Sequence, residues 1–307
     1  MNVDLAKLAE IDDALKDENT AHLMIDVDKV VSKRSIKGIR IETKEIKDGV
    51  EVKLDIAPNT VIKKPVHLCF GSTKEDILQK IKMNIHIGKN AKVSFFSHCI
   101  FPKGNAKHIM DAKISIDENA SYSYVEKHIH SFDAKVEIKS MARVKVAKNA
   151  KYVTEFELIQ GRAGNVEIDY EAEGDENSIV EMTTKASGWK DDVIKVKENA
   201  ILKEKSRGAL KSRIAVGENA QAEIYNKIVA LEAYARGHVD CKEIIKGNAK
   251  AIAIPVVEVR HPKAHVTHEA ALGSVDSKQL QTLMSRGLSE DAAVDLIIEG
   301  LLQPPRV

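Results

Sequence analysis

The segments IHIGKNA (residues 85–91) and ISIDENA (residues 114–120) decide the fold of this chain, because the same short pattern returns along most of its length. Apolar residues stand three and five positions before an asparagine, and a small residue follows the asparagine. Alternating apolar residues predict a strand with one buried face. Asparagine suits a tight bend, since it tolerates a left-handed backbone and can hydrogen-bond its own turn. Each unit therefore predicts a strand, a bend and a second strand.

Eight asparagines mark the repeat. They are Asn59, Asn90, Asn119, Asn149, Asn177, Asn199, Asn219 and Asn248. Their separations, by subtraction, are 31, 29, 30, 28, 22, 20 and 29 residues. A loosely regular period in this range is the signature of stacked repeats. Because helical periodicity is almost absent between residues 20 and 259, we predict a mainly β protein folded as a right-handed parallel β-helix, with a β-sandwich of hairpins as the alternative.

The residues that flank the repeats predict helices. Leu5, Leu8, Ile11 and Leu15 share one face of a short amphipathic helix, since their spacing follows the helical period. Such a helix can cover the end of a solenoid, whose last coil exposes unpaired backbone groups. Residues 1–37 are therefore predicted to form an N-terminal helix and capping segment.

The character of the sequence changes again near its end. From Asp276 onward, two amphipathic helices are predicted on either side of Gly287, which can end the first of them. We therefore divide the remaining chain into a parallel β-helix core, residues 38–270, and a C-terminal two-helix unit, residues 271–307. This unit is predicted to be either the second cap or a docking site for another protein.

Composition excludes several classes of function. The 47 Lys and Arg residues are balanced by 46 Asp and Glu, so the chain lacks the basic field that holds nucleic acid. Aromatic residues make up only 4% of the chain, which disfavours a β-helix that stacks sugars on exposed rings. The longest apolar run is too short to span a membrane. Three cysteines without paired spacing argue against a disulfide framework and favour the cytoplasm.

The last segment, HVTHEAALGSVDSKQLQTLMSRGLSEDAAVDLIIEGLL (residues 265–302), resembles the end of the SufB/SufD family. Its members are scaffold subunits of the SUF machinery for iron–sulfur cluster assembly. KSRGALKSRIAVGENAQA (residues 205–222) is similar to a late coil of the same family, and the resemblance extends over residues 207–302. The long N-terminal helical region usual in the bacterial subunits is absent from this sequence, which suggests a minimal SufB-like form.

The resemblance implies a scaffold and not an enzyme. It implies a SufC-like ABC-type ATPase as the partner that hydrolyses ATP and docks on the C-terminal helices. It also implies pairing through the end of the β-helix, here as a homodimer, because one chain would replace the SufB–SufD pair. A sulfur donor and apo-protein acceptors complete the expected partners. The residues expected to bind the ATPase are Leu280, Leu283, Arg286, Leu296, Ile297 and Leu301.

The resemblance also implies a site for a transient iron–sulfur cluster, with iron and sulfide as substrates. Cys241, in RGHVDC, stands where SufB-type chains carry a cluster-site cysteine. His268 and Glu269, in HEA, match the SufB variant of that motif, whereas SufD-like chains have HGA. Cys241 would need a cationic or metal neighbour to lower its pKa, since the thiolate is the form that binds iron. Cys241, Glu269 and His268 are therefore the predicted cluster ligands.

Several alternatives remain open at this stage. A lone cysteine in a strand is more often a small core residue than a ligand. Cys69 and Cys99 are predicted to be core thiols, although either could be the residue that receives sulfur. His128 and His130, in KHIH, share one strand face and could form a metal clasp or part of a polar outer face. The alternative function is a carbohydrate-active or purely structural β-helix.

Overall fold

A computed structural model of the chain describes residues 3–133 and 135–302 and shows a β-solenoid of about eight coils. The four helices of these residues are α1 (Val3–Leu8), α2 (Asp12–Lys16), α3 (Ser277–Met284) and α4 (Glu290–Leu302). The strands are β1 (His22–Asp26), β2 (Lys29–Arg34), β3 (Ile39–Ile46), β4 (Gly49–Ile56), β5 (Val66–Gly71), β6 (Ile77–Ile87), β7 (Lys92–Phe101), β8 (Asn105–Ile116), β9 (Ser121–His130), β10 (Lys135–Val146), β11 (Lys151–Gln160), β12 (Asn165–Gly174), β13 (Ile179–Gly188), β14 (Val193–Leu202), β15 (Arg207–Val216), β16 (Gln221–Ala230), β17 (Arg236–Ile245), β18 (Lys250–Val259) and β19 (His265–Gly273).

Two sheets form the walls of the solenoid. Sheet A has ten strands in the order β19-β17-β15-β13-β11-β9-β7-β5-β1-β2, and sheet B has nine in the order β18-β16-β14-β12-β10-β8-β6-β4-β3. From β4 onward, each strand pairs in parallel with the strand two places along the chain. Every coil therefore contributes one strand to each sheet, and the prediction of a parallel β-solenoid is confirmed.

The alternation of apolar residues builds the core between the sheets. In β10, Val136, Ile138, Ser140, Ala142 and Val144 are buried, while the residues that alternate with them are exposed or half-buried. β8 and β10 pair in register over twelve residues, so apolar residues of successive coils stack on one another. This register is strongly specified, since a shift by one residue would turn every core side chain outward.

The predicted asparagine bends are confirmed at one corner of the first five coils. Asn59, Asn90, Asn119, Asn149 and Asn177 all have positive φ, between 57° and 61°. From Asn90 onward, each side-chain amide donates to the asparagine oxygen of the preceding coil, over 2.7 to 3.0 Å. This ladder satisfies polar groups at a corner where the backbone leaves the sheet.

The prediction of a bend at Asn199 is wrong. Asn199 lies inside β14, where it is aligned with Glu171 of β12. In the next coil, the position that corresponds to Asn177 is occupied by Lys205, which lies 28 residues later and has a φ of 58°. Asn219 and Asn248 are in turns at the opposite corner. The short separations of 22 and 20 residues arose because the motif changes corners there.

The N-terminal end is covered by more structure than the sequence predicted. The single helix expected over the first residues is two short helices, and Leu8, expected on the apolar face, is exposed. Strands begin at His22 and not near residue 39, because β1 and β2 form an antiparallel pair that extends sheet A. The side chains of the helices cover the outer face of sheet A at Met24 and Cys69.

The two C-terminal helices lie beside the solenoid. Ala293, Ile298 and Leu302 of α4 are buried, and Ile298 and Leu302 pack in one cluster with Ala215 of β15. Residues 1–2 and 303–307, the ends of two predicted segments, lie outside the described residues. None of the helices in the described chain is both long and apolar enough to cross a membrane.

Candidate functional site

Cys241 lies inside the solenoid, near its C-terminal end. It belongs to the inner face of β17, and its side chain is completely buried. The parallel register places Ser212 of β15 on one side of it and Ala270 of β19 on the other. Because β19 is the last strand of sheet A, only one coil separates Cys241 from the open end of the solenoid.

A network of buried polar groups surrounds the sulfur. Ser212 donates to Glu243 Oε1 over 2.8 Å, and Thr184 donates to Glu198 Oε1 over 2.7 Å. The amide of Asn226 lies between Glu198 and Cys241. In the orientation that satisfies both of its ends, Asn226 Nδ2 donates to Glu198 Oε2 over 3.2 Å, and the other amide atom faces Cys241 Sγ, with 3.7 Å between them.

The electrostatics of this pocket bear on the expected need for a cationic or metal neighbour. Burial raises the pKa of the Cys241 thiol, and the nearby Glu243 carboxylate raises it further. Burial also raises the pKa values of Glu198 and Glu243 to about 7. The cysteine was expected to need a cationic or metal neighbour, and the side chains around it are polar and acidic. A metal ion would therefore have to supply the positive charge that stabilises the thiolate.

The three predicted cluster ligands do not meet within one chain. His268 is aligned with Val239, so it belongs to the inner face of sheet A, as Cys241 does, but it is exposed. Glu269 is aligned with Asp240 on the outer face, and its Oε1 lies 3.9 Å from Lys242 Nζ. Successive residues of a strand point to opposite faces. The register therefore brings His268 and Cys241 to one face and separates both from Glu269.

A groove runs between the end of sheet A and the two C-terminal helices. It has a volume of about 820 Å³, and its lining includes Glu243, Leu272, Gln279, Ile297 and Leu301. Two of the predicted ATPase-binding residues thus line this groove. The other four predicted residues, Leu280, Leu283, Arg286 and Leu296, are half-buried or exposed. The helix side that packs against the solenoid uses a different set of residues.

The sequence reading missed the polar residues inside the late coils. Glu198 and Asn226 occupy inward positions of β14 and β16, where alternation predicts apolar residues. The signal was available: Ile194, Val196 and Glu198 share one parity, so the glutamate had to face inward if the valine did. The inward position of Glu198 was missed because the residue was assigned to the bend predicted at Asn199.

His128 and His130 are also buried, so the alternative that they form a polar outer face is wrong. Both belong to the inner face of β9, together with Glu126. The three cysteines are all free and all buried, as expected for Cys69 and Cys99.

Comparison with known proteins identifies the family. The sequence profile described as "SUF system FeS cluster assembly, SufBD core domain" matches residues 69–301. An iron–sulfur cluster assembly SufBD family protein of Methanocaldococcus jannaschii is 38% identical over 282 residues, which cover 91% of this chain and 89% of that protein. Another, of Pyrococcus horikoshii, is 37% identical over 302 residues, which cover 98% and 92%. The chain therefore belongs to the SufBD family of iron–sulfur cluster assembly proteins.

Proposed function

We propose that this protein is the scaffold on which a nascent iron–sulfur cluster is built, at the C-terminal end of its solenoid. The observation that carries the proposal is Cys241, a thiol one coil from an open end, with His268 on the same inner face of the next strand. Thiolate and imidazole are suitable ligands for iron. Iron and sulfide are the substrates, and the cluster is a transient product.

Completion of the site requires a second copy of the chain. Cys241 is fully buried, and Glu269 lies on the opposite face of sheet A, so one chain cannot bring them to one metal without movement of β19. The last strands, β18 and β19, have exposed apolar residues, among them Ile252, Val259 and Leu272. Open strand edges of this kind recruit other chains. A homodimer joined through this end would place two sets of ligands around one junction.

An ABC-type ATPase of the SufC kind would dock on α3 and α4. The exposed Leu296 and the groove residues Ile297 and Leu301 offer an apolar surface that α4 does not use against its own solenoid. Lys246 Nζ lies 3.3 Å from Asp291 and 3.2 Å from Asp295 of α4. Because Lys246 immediately follows the strand of Cys241, movement of the helices during ATP hydrolysis would be transmitted to the end of that strand.

The remaining partners follow from this role. A sulfur donor would deliver sulfide equivalents, and apo-proteins would accept the finished cluster. The chain would act as an assembly component in the cytoplasm and leave ATP hydrolysis to its partner. Free thiols in all three cysteines are compatible with a reducing compartment.

The test is anaerobic reconstitution with ferrous iron and sulfide in the presence of the ATPase. We expect Cys241→Ser to lose cluster absorbance while it keeps the solenoid fold and ATPase binding. Cys69→Ser is the matched control, since Cys69 is also fully buried but lies beneath the N-terminal helices. Normal cluster yield from the Cys241→Ser protein would refute the assignment of the site.

A further inference from the structure

A second buried cluster of metal-ligating groups lies in the N-terminal half of the solenoid, far along the chain from Cys241. It comprises Cys99 of β7, His108 of β8, and Glu126 and His128 of β9, all at most 1% exposed. The ligating atoms of Cys99, Glu126 and His128 lie within 4.8 Å of one another. We propose that these four residues bind one divalent first-row transition-metal ion, of the zinc or ferrous class, inside the solenoid.

The register explains why the groups meet. Cys99 and His128 are aligned partners in neighbouring parallel strands. Glu126 precedes His128 by two residues and therefore shares its face. His108 reaches the cluster from sheet B, across the interior, and its Nε2 lies 3.7 Å from Cys99 Sγ. Three strands from both sheets thus converge on one point.

The distances from Cys99 Sγ fit tetrahedral coordination. Ligand bonds of about 2.3 Å to sulfur and about 2.05 Å to nitrogen or oxygen give edges of about 3.6 Å from sulfur and about 3.3 Å between the lighter atoms. Cys99 Sγ lies 3.7 Å from His108 Nε2 and 3.8 Å from Glu126 Oε1. His128 Nε2 lies 2.7 Å from Glu126 Oε1, as in a hydrogen bond. This last pair has to separate for an ion to enter, and His108, which lies outside the group formed by the other three residues, has to move toward Glu126 and His128.

The charges of the donor set match a divalent ion. A thiolate and a carboxylate carry two negative charges, and two neutral imidazoles add none, so a 2+ ion makes the buried site neutral. The Cys99 thiol proton leaves to solvent, and the His128 proton moves from Nε2 to Nδ1. Sulfur and imidazole ligands favour zinc or ferrous iron over magnesium or calcium.

The site is enclosed by aromatic rings. Phe101 lies 5.2 Å from the His108 ring, and Phe156 lies 4.8 Å from the His128 ring, between centroids. A cavity of about 20 Å³, large enough for one water molecule, borders Glu126 and gives its carboxylate room to move. Four protein ligands in a closed pocket are typical of a firmly held ion that stabilises a fold. The ion would link sheet A to sheet B in these coils.

The test isolates the sulfur of Cys99. In the double variant Cys69→Ser/Cys241→Ser, Cys99 is the only thiol of the chain. After treatment with a chelator, this protein is titrated anaerobically with Co²⁺. We expect a thiolate-to-cobalt charge-transfer band and the visible absorption of tetrahedral Co²⁺, both saturating at one ion per chain and both abolished by Zn²⁺. Titration with Fe²⁺ in competition with Co²⁺ then ranks the two ions.

Absence of the charge-transfer band in the double variant would overturn the proposal. Two matched pairs sharpen the result. Cys99→Ser should lose the band, whereas Cys69→Ser should keep it. His128→Ala should weaken Co²⁺ binding by at least about 100-fold, whereas His98→Ala, which removes a histidine buried on the outer face, should leave it unchanged. The result is independent of the proposed cluster site, because the double variant lacks Cys241.

Discussion

Near the N-terminal end of the solenoid, helices cover the outer face of sheet A, whereas the last strands at the C-terminal end are largely uncovered. Helices α1 and α2 cover sheet A at the first end, where Met24 and Cys69 are completely buried. At the other end, β18 and β19 are mostly half-buried or exposed, and Ile252 is 55% exposed. Because an uncovered strand edge can pair with another chain, this difference is the reason why we propose assembly at the C-terminal end.

The interiors of the two halves differ as well. In the early coils, aromatic rings fill the space between the sheets, and Tyr122 stacks on Tyr152 with 5.5 Å between ring centroids. In the late coils, the corresponding inner positions carry small polar side chains, including Thr184 and Ser212, with the carboxyl group of Glu198. The early interior thus packs aromatic rings around the cluster of Cys99 and His128, whereas the late interior is lined by small polar and carboxyl groups.

The largest effect is expected from a matched pair of isoleucines. Ile138, in β10, is completely buried, whereas Ile252, in β18, is largely exposed. Ile138→Ala should lower the free energy of unfolding by about 2–5 kcal/mol, because it removes buried methylenes and leaves a cavity. Ile252→Ala should change it by less than about 0.5 kcal/mol. Chemical denaturation of both variants measures this, and equal losses would contradict the contrast between core and open end.

A smaller effect is expected from the buried carboxyl group of Glu198. Its folded pKa of about 7 lies above the ordinary value of 4.5 because burial disfavours the charged form. Below pH 4.5 the group is neutral in both states. Between pH 4.5 and 7 the unfolded chain releases the proton first, so stability falls as pH rises, and it levels off above 7.

Glu198→Gln should remove this loss, which is on the order of 3 kcal/mol at about 1.4 kcal/mol per pKa unit. The measurement is the free energy of unfolding across that pH range. Glu218→Gln, at an exposed turn, is the control and should keep the slope of the unchanged protein. An identical pH profile for Glu198→Gln would show that the late interior is as solvated as a surface.

The smallest effect concerns the corner ladder. Asn119 has a φ of 61°, donates to Asn90 and accepts from Asn149. Asn119→Ala should cost about 1–2 kcal/mol, since alanine is strained in this conformation. Asn119→Gly relieves the strain and isolates the cost of the lost hydrogen bonds, expected at about 1 kcal/mol. Asn219→Ala is the control from the opposite corner. If it lowers the free energy of unfolding as much as Asn119→Ala does, the ladder does not stabilise the corner.

The regular coils could be predicted because their signal is local. Alternation in β8 and β10 and the asparagines at one corner follow directly from strand and turn preferences. The prediction failed at Asn199 for the same reason: the letters ENA occur both at a bend and within β14. Which of the two forms there depends on pairing with β12, and that pairing is a contact between residues far apart in the chain.

The candidate site was predicted only in part. Cys241, His268 and Glu269 were predicted because they match motifs of the family. A motif match does not show which face of sheet A each residue occupies. Alternation alone separates His268 from Glu269. Whether Cys241 joins one or the other depends on the register of β17 against β19, which aligns it with Ala270.

The sequence by itself determined the strand period, the bends of the first five coils and the family, because each of these is encoded in short runs of residues. Tertiary structure alone decided which side chains share the interior. Cys99, His108 and His128 come from three strands of two sheets. Cys99 and His128 meet because stacking of coils converts a separation of about thirty residues into the distance between neighbouring strands, about 4.8 Å. His108 reaches them from the opposite sheet, across the interior.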